Sequence, residues 1–484
     1  MRSPAESPAL LATRRGKLVL ALLCTIAFLD FVDGSIVNVA LPAMQRDLGL
    51  DVSTLQWVTS GYMLTYGGLM LLGGRLADLL GRRRVLLAGT VLLGVSAAVG
   101  GLAHGSELLI GARLAQGVGA ALMLPAALST LTTTFREGPD RDIALSVWGG
   151  AAGLASAAGV LLGGALTQGP GWRWVFYVNT PVCLLVLIAV PALLPDDRRD
   201  GPRGGFDVLG TALATSGLML LVYGLVQAPE YGWDDARTLA LLGAALVLLI
   251  AFVVNESRTR DPLVPLSIFR IRGLAAANLT YLTIAAGMLA MFFVLTLYLQ
   301  SVLGYTELET GVAYLPFSLC LAAAAGVTQK LLARTGTRPL IVGGSVLMGA
   351  GLIWLSRIPV DGSFAADVLP GMLIMAFGAG AVFVATTAAA NAGVPPEQAG
   401  LAAALLNTAQ QIGGALGIAI LTAVATARTA DRIAAGESAA AAMTSGFRLA
   451  LLLGGLIALA AALIATRTAD SRGEQGEPVR ATTG

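Results

Sequence analysis

The chain has 484 residues, 56% of them hydrophobic and only 12% charged, with a mean hydropathy of +0.77. Soluble domains carry about 25% charged residues, so a soluble fold of this length could not cover its surface, and most of the chain is expected to meet lipid. A formal net charge of +2 excludes nucleic-acid binding driven by phosphate neutralisation.

Fourteen apolar runs of about 20 residues, the length that crosses roughly 30 Å of hydrocarbon, are predicted in chain order. The first, 18–41, contains Asp30 and Asp33 and is too long and too charged to be a cleavable signal peptide. The second, 54–74, leads into the basic loop Gly74 to Arg84. The third and fourth, 84–103 and 107–131, flank a short loop with the only histidine, His104, and the fourth carries Arg113. The fifth, 143–166, holds Gly149, Gly153, Gly159, Gly163 and Gly164, and the sixth spans 174–194. Charged connectors at 195–206 and 256–272 flank spans at 207–227 and 237–254. The remaining six are 273–302, 309–332, 338–356, 367–391, 398–424 and 446–466. Placing the N-terminus inside puts most of the 31 Lys and Arg residues in loops on that side, so both termini are predicted to be cytoplasmic in a multi-pass protein of the cell membrane.

The loop after the second span has an echo 255 residues later, where Lys330, Leu331, Gly336 and Arg338 fall opposite Arg75, Leu76, Gly81 and Arg83. Both loops follow the second helix of a six-helix set. This arrangement predicts a duplicated transporter with alternating access around a central site. The expected organisation is an N-tail at 1–17, a six-helix half at 18–194, linkers with two inserted helices at 195–272, a second half at 273–466 and a C-tail at 467–484.

Charge inside a span costs several kcal/mol at the bilayer centre, which makes Asp30, Asp33 and Arg113 the leading functional candidates. Asp30 and Asp33 share a helix face. Asp33 lies roughly 13 Å below the outer end of its helix and Arg113 roughly 10 Å below the start of its own, so their depths agree. Asp33 is expected to carry a proton, Arg113 to tune it, and Asp30 to assist or to contact cationic substrate. The alternative is a permanent structural ion pair between Asp33 and Arg113. Asn38, Gln116, Asn179, Asn407, Gln410 and Gln411 are candidates to line a cavity or to bond between helices. Trp57, Tyr62, Tyr281, Met288, Met291 and Phe292 are candidates for a hydrophobic drug site or for packing. The glycines of the fifth span, with Gly413, Gly414 and Gly417, suit close helix packing or a hinge. Cys24, Cys183 and Cys320 lie far apart in apolar stretches and form neither a disulfide framework nor a metal site.

Several stretches resemble the fourteen-helix drug:proton antiporters of the major facilitator superfamily. They are Asp33-Gly-Ser-Ile-Val-Asn-Val-Ala-Leu-Pro42, Leu55-Gln-Trp-Val58 with Tyr62, Gly74 to Arg84, Arg113-Leu-Ala-Gln-Gly-Val-Gly119, Trp172 to Pro181 and Ala399-Gly-Leu-Ala402. The resemblance implies an all-α membrane fold of two six-helix halves plus two inserted helices. It also implies a loop in which Gly74, Arg75, Asp78, Gly81, Arg82 and Arg83 latch the halves, with Asp78 governing conformational exchange. One departure stands out, since Val160 occupies the place of the kinking proline in the family's fifth-helix motif.

The function expected is efflux of hydrophobic or cationic drugs in exchange for protons by a monomer in lipid, with the proton gradient as its energy source and no cofactor. The alternative is a dedicated exporter, or a symporter, of one endogenous metabolite. An ATP-driven pump is disfavoured because the only lysines, Lys17 and Lys330, lie in no phosphate loop. A membrane enzyme is disfavoured by the lack of clustered metal ligands or of a nucleophile with a base.

Overall fold

A computed structural model describes residues 11, 13–135, 139–195, 207–259, 262, 264–271, 273–392, 394, 399–468 and 470. The regular structure among them is helical, in fourteen long segments. The first six are α1 (Arg14–Leu48), α2 (Val52–Leu80), α3 (Arg82–Gly101), α4 (Ser106–Thr134), α5 (Pro139–Gln168) and α6 (Trp174–Leu193, interrupted at Val178). A pair follows, α7 (Val208–Tyr231) and α8 (Ala236–Arg258). The last six are α9 (Leu274–Val302), α10 (Glu307–Ala313 and Leu315–Thr335), α11 (Thr337–Leu355), α12 (Phe364–Val368 and Leu369–Asn391), α13 (Ala399–Ala434) and α14 (Ala439–Ala465). Twelve of these are long and apolar enough over their described residues to cross a bilayer, and α2 and α5 have the length, at 29 and 30 residues. The chain is a multi-pass membrane protein. Helices satisfy their own backbone groups, which is what lets them cross hydrocarbon.

The 255-residue echo is visible in the backbone. Gly49 ends α1 at φ 64° and Gly304 ends α9 at φ 71°; Gly81 follows α2 at φ 96° and Gly336 follows α10 at φ 79°. These left-handed turns are open to glycine and strained for other residues. Asp51 caps α2 by accepting from the Thr54 N–H at 2.9 Å, and Thr306, 255 residues on, caps α10 by accepting from the Glu309 N–H. Arg83 donates to the Pro191 carbonyl near the end of α6, and Arg338 donates twice to the Thr468 carbonyl beyond α14. Each places a cation at the negative end of the sixth helix of its half. At the crossing of α3 and α4, a Cβ on Gly89 would lie 2.7 Å from the Gly119 carbonyl; at that of α11 and α12, one on Gly344 would lie 2.8 Å from the Gly378 carbonyl. Only residues without a side chain permit such approach.

Packing repeats as well. Helix α4 packs against α2 and α3 as α12 does against α10 and α11, α5 lies against α1 as α13 lies against α9, and α6 and α14 lie against α3 and α11. Across the halves, α5 meets α10 and α13 meets α2. A Cβ on Gly164 would come within 2.6 Å of the Glu307 carbonyl, and one on Gly67 within 2.6 Å of Gln411 Cβ. At the end of the bundle carrying the α1–α2 turn, here the distal end, Arg46 pairs with Glu307 at 2.6 Å, and Gln300 donates to the Val39 carbonyl at 2.9 Å. The halves are therefore in contact at that end.

Helix α7 packs against both α2 and α13 and so lies along one of the two seams. The Trp57 and Tyr223 rings are 6.0 Å apart there, and Thr215 donates to the Gly68 carbonyl at 3.4 Å. Helix α8 packs on α7 and exposes Leu239, Leu246, Val247, Ile250 and Val253 on the bundle's outer surface. The residues of the predicted connector 195–206 lie almost wholly outside the described ones. The second connector begins later than predicted, because α8 continues to Arg258, where buried Glu256 accepts from the Val264 N–H.

Candidate functional site

Four helices of the first half bring ionisable and amide side chains to one buried point. Spacings of three and four residues align each set on one helix face: Asp30 and Asp33 on α1, Tyr62 and Tyr66 on α2, Arg113 and Gln116 on α4. The interruption of α6 at Val178 starts a new helical segment at Asn179. All seven side chains are buried.

Arg113 Nη1 lies 3.1 Å from Asp33 Oδ2 and donates to Gln116 Oε1 at the same distance. Its Nε donates to the Val58 carbonyl at 2.9 Å, and its guanidinium lies 4.1 Å over the Tyr62 ring. Asp33 Oδ1 accepts from Gln116 Nε2 at 3.1 Å and from Asn179 Nδ2 at 2.6 Å. Both oxygens of Asp33 are thus occupied and its charge is matched. A buried charge is tolerated when it is paired and hydrogen-bonded in this way.

Asp30 is different. Its Oδ2 accepts from the Tyr66 hydroxyl at 2.7 Å, its buried Oδ1 accepts from no described group, and no described Lys or Arg nitrogen lies within ion-pair distance. The Tyr62 hydroxyl is likewise buried with no partner among the described groups. The depth agreement read from the sequence between Asp33 and Arg113 is thus a direct contact. Tyr66 is not among the residues singled out from the sequence, and Val58 is there only as the end of a motif and not as an acceptor; the four-residue step from Tyr62 to Tyr66, onto the face that meets α1, is the available signal.

Other predicted residues lie elsewhere. Asn38 is buried but only reaches back to the Gly34 carbonyl at 3.4 Å. Trp57 turns to α7, and Asn407 and Gln410 lie half-buried on α13 in the other half. Tyr281 packs on Phe383, and Phe292 on Tyr314 and Phe317, within the second half. His104 is exposed at the distal end. In the predicted latch, Gly74 packs toward Pro125 and Gly81 forms the turn, while Arg82 donates to the Thr133 hydroxyl and Arg83 to the Pro191 carbonyl. These two bonds stay within the first half, and both arginines have further partners besides. Arg75 has a polar or electrostatic partner, and the side chain of Asp78 lies outside the described residues. Arg15, Arg82 and Arg83, with Thr130 and Thr133, line a cavity of about 450 Å³ at the proximal end, which does not reach the buried cluster. Val160 falls at the seam between halves: a Cβ on Gly311 of α10 would lie 2.6 Å from its carbonyl. Helix α5 runs unbroken through that position.

The family model of the Major Facilitator Superfamily matches residues 23–418. The chain is 39% identical to the puromycin resistance protein of Streptomyces alboniger over 465 residues, covering 95% of this chain and 92% of that one. It is 38% identical to the cephamycin export protein of Amycolatopsis lactamdurans, covering 85% of each, and 37% identical to the lincomycin resistance protein of Streptomyces lincolnensis, covering 84% of each. Among solved structures, an auto-inhibited peptide transporter of the POT family superposes with a TM-score of 0.67 at 17% identity, covering 96% of this chain and 99% of that one. A bacterial homolog of the lysosomal transporter Spinster, inward-facing and occupied, superposes with a TM-score of 0.66 at 16% identity, covering 94% and 96%. A helical duplication with a buried ionic cluster, matched by the family model over residues 23–418, identifies the chain as a member of the Major Facilitator Superfamily.

Proposed function

We propose that this chain exports antibiotics or similar hydrophobic, including cationic, compounds across the cell membrane in exchange for protons. The observation that carries this reading is similarity over nearly the full chain to proteins named for antibiotic resistance and export. The distribution of basic loops supports a proximal end in the cytoplasm, with both termini there, and a distal end facing outward. In this reading the contacts at the distal end close the outer side, and release requires the pair Arg46–Glu307 and the α5–α10 seam to part. The buried cluster is the only place among the described residues of the spans where two carboxyls and a guanidinium converge, and it supports proton coupling there. The test is uptake of puromycin, cephamycin and lincomycin by everted vesicles under a proton gradient. Uptake that collapses with a protonophore is expected, uptake of one compound alone would mark a dedicated exporter, and uptake that survives gradient collapse would refute proton coupling.

A further inference from the structure

The two carboxyls on α1 are three residues apart, equally buried and unequally satisfied. Asp33 is an ion-pair partner with two further amide donors on its second oxygen. Adding a proton to it would leave the Arg113 guanidinium, 1% exposed, without its counter-charge, and breaking a buried pair from one side is strongly unfavourable. Asp30 has a single donor, the Tyr66 hydroxyl, and a second oxygen that accepts from no described group. A charge there has no counter-ion, so only a proton or an arriving cation can offset it.

The groups around Asp30 on every packed element are few. On α2 these are Tyr62 and Tyr66, both within electrostatic reach of it, and on its own helix Asp33. On α4, Arg113 is engaged with Asp33. On α6, Cys183 lies within reach of Asp33. Helix α5 has no ionisable residue between 143 and 168, α9 has only Tyr281 and Tyr298, and the charged residues of α10 lie at its two ends, Glu307 and Glu309 at the distal one and Lys330 and Arg334 at the proximal one. Nothing on these elements supplies Asp30 with a cation.

We infer that Asp30, rather than Asp33, is the carboxyl that takes up and releases the coupled proton. Asp33 and Arg113 form a fixed ionic anchor, and Tyr66 is the positioning residue that steadies the carboxylate of Asp30 when the proton has left. The inference rests on the proton-exchange reading above and moves the carrier role from the acid that belongs to the family motif to one outside it. Its two states balance simply: the Asp30 O–H bond breaks, the proton leaves toward the open side, and the residual negative charge is held by the Tyr66 hydroxyl until a cation or a new proton arrives.

The test is an infrared pH titration of the full chain in lipid vesicles, following the carbonyl band of protonated, buried carboxylic acid. The wild type is compared with Asp30→Asn, Tyr66→Phe and the double variant Asp33→Asn with Arg113→Gln, which removes both charges of the anchor together and so avoids stranding either one. The expected result is a titrating band in the wild type and the double variant, its loss in Asp30→Asn, and a midpoint moved upward in Tyr66→Phe, because the charged form loses its donor. A band that persists in Asp30→Asn, vanishes in the double variant alone, or is absent from the wild type would overturn the assignment. The readout contains no transported compound, so it stands or falls separately from antibiotic export.

Discussion

Removing the guanidinium of Arg113 is the sharpest perturbation of the anchor. Arg113→Ala deletes the 3.1 Å pair with Asp33, the 2.9 Å bond to the Val58 carbonyl and the stacking over Tyr62. It leaves a buried carboxylate with two amide donors and no counter-charge. Breaking such a pair from one side costs roughly 3–5 kcal/mol. If that loss falls wholly on the unfolding barrier, unfolding speeds up by about two to nearly four orders of magnitude at fixed temperature. The three free thiols provide the assay. Cys183 is 2% exposed, so a thiol-reactive fluorophore in detergent reports its release on unfolding. Asp33→Asn should cost a similar amount, because it leaves a buried guanidinium unmatched. The double variant Asp33→Asn with Arg113→Gln should unfold more slowly than either single variant, since no uncompensated charge remains. Single variants that unfold at the wild-type rate, or a double variant that loses the full sum of both, would refute the claim that charge matching holds this site together.

Three further outcomes follow from the packing and the caps. Gly164→Ala places a methyl group 2.6 Å from the Glu307 carbonyl and should destabilise by about 1–3 kcal/mol in the same thiol assay, whereas Gly149→Ala, with nothing within 4 Å, should be neutral or slightly stabilising. Arg46→Ala should change the unfolding rate little, by about 1 kcal/mol or less and less still at high salt, because Arg46 is 62% exposed. At the α2 cap, partial burial works to raise the carboxyl of Asp51, but bonds from the Ser53 hydroxyl and the Thr54 N–H together hold it below its ordinary value. A lowered folded value means that the stabilisation is present above the ordinary carboxylate value and is lost as pH falls below it through the lower folded value. Asp51→Asn should keep the cap and remove this acid sensitivity, and Asp51→Ala should lose about 1 kcal/mol at neutral pH, both read from unfolding rates against pH.

The parts of this architecture that were legible in the sequence are those governed by length and by charge in lipid. Span order, the repeat at Gly81 and Gly336, and the meeting of Asp33 with Arg113 follow from hydropathy, turn chemistry and rise per residue. Less was legible where helices are apolar all round, because periodicity then points to no particular face. The placement of α7 against α2 and α13 is one such case, and the turning of Trp57 toward Tyr223 is another. Asn179 could be read as a polar residue in a span, but its position beside Asp33 depends on the interruption at Val178. Tyr66 resembled any packed aromatic until its hydroxyl met Asp30. The unequal satisfaction of Asp30 and Asp33 is a property of four helices together, and no spacing along one of them encodes it.

The repeat geometry has one more consequence. Carrying the cluster forward by the same 255 residues that relate Gly81 to Gly336 sets Ala285 opposite Asp30, Met288 opposite Asp33, Phe317 opposite Tyr62 and Leu321 opposite Tyr66, and the 259-residue step that relates Gly119 to Gly378 sets Met372 opposite Arg113. The two halves are alike as levers and unlike as dielectrics. The duplicated turns and helix crossings give each half the same mechanical frame, but among the described residues only the first half buries two carboxyls and a guanidinium together, opposite apolar counterparts in the second. The ionic cluster and the apolar counterpart can therefore be altered independently, because substitutions at Ala285, Met288, Phe317 or Leu321 change shape without touching a charge.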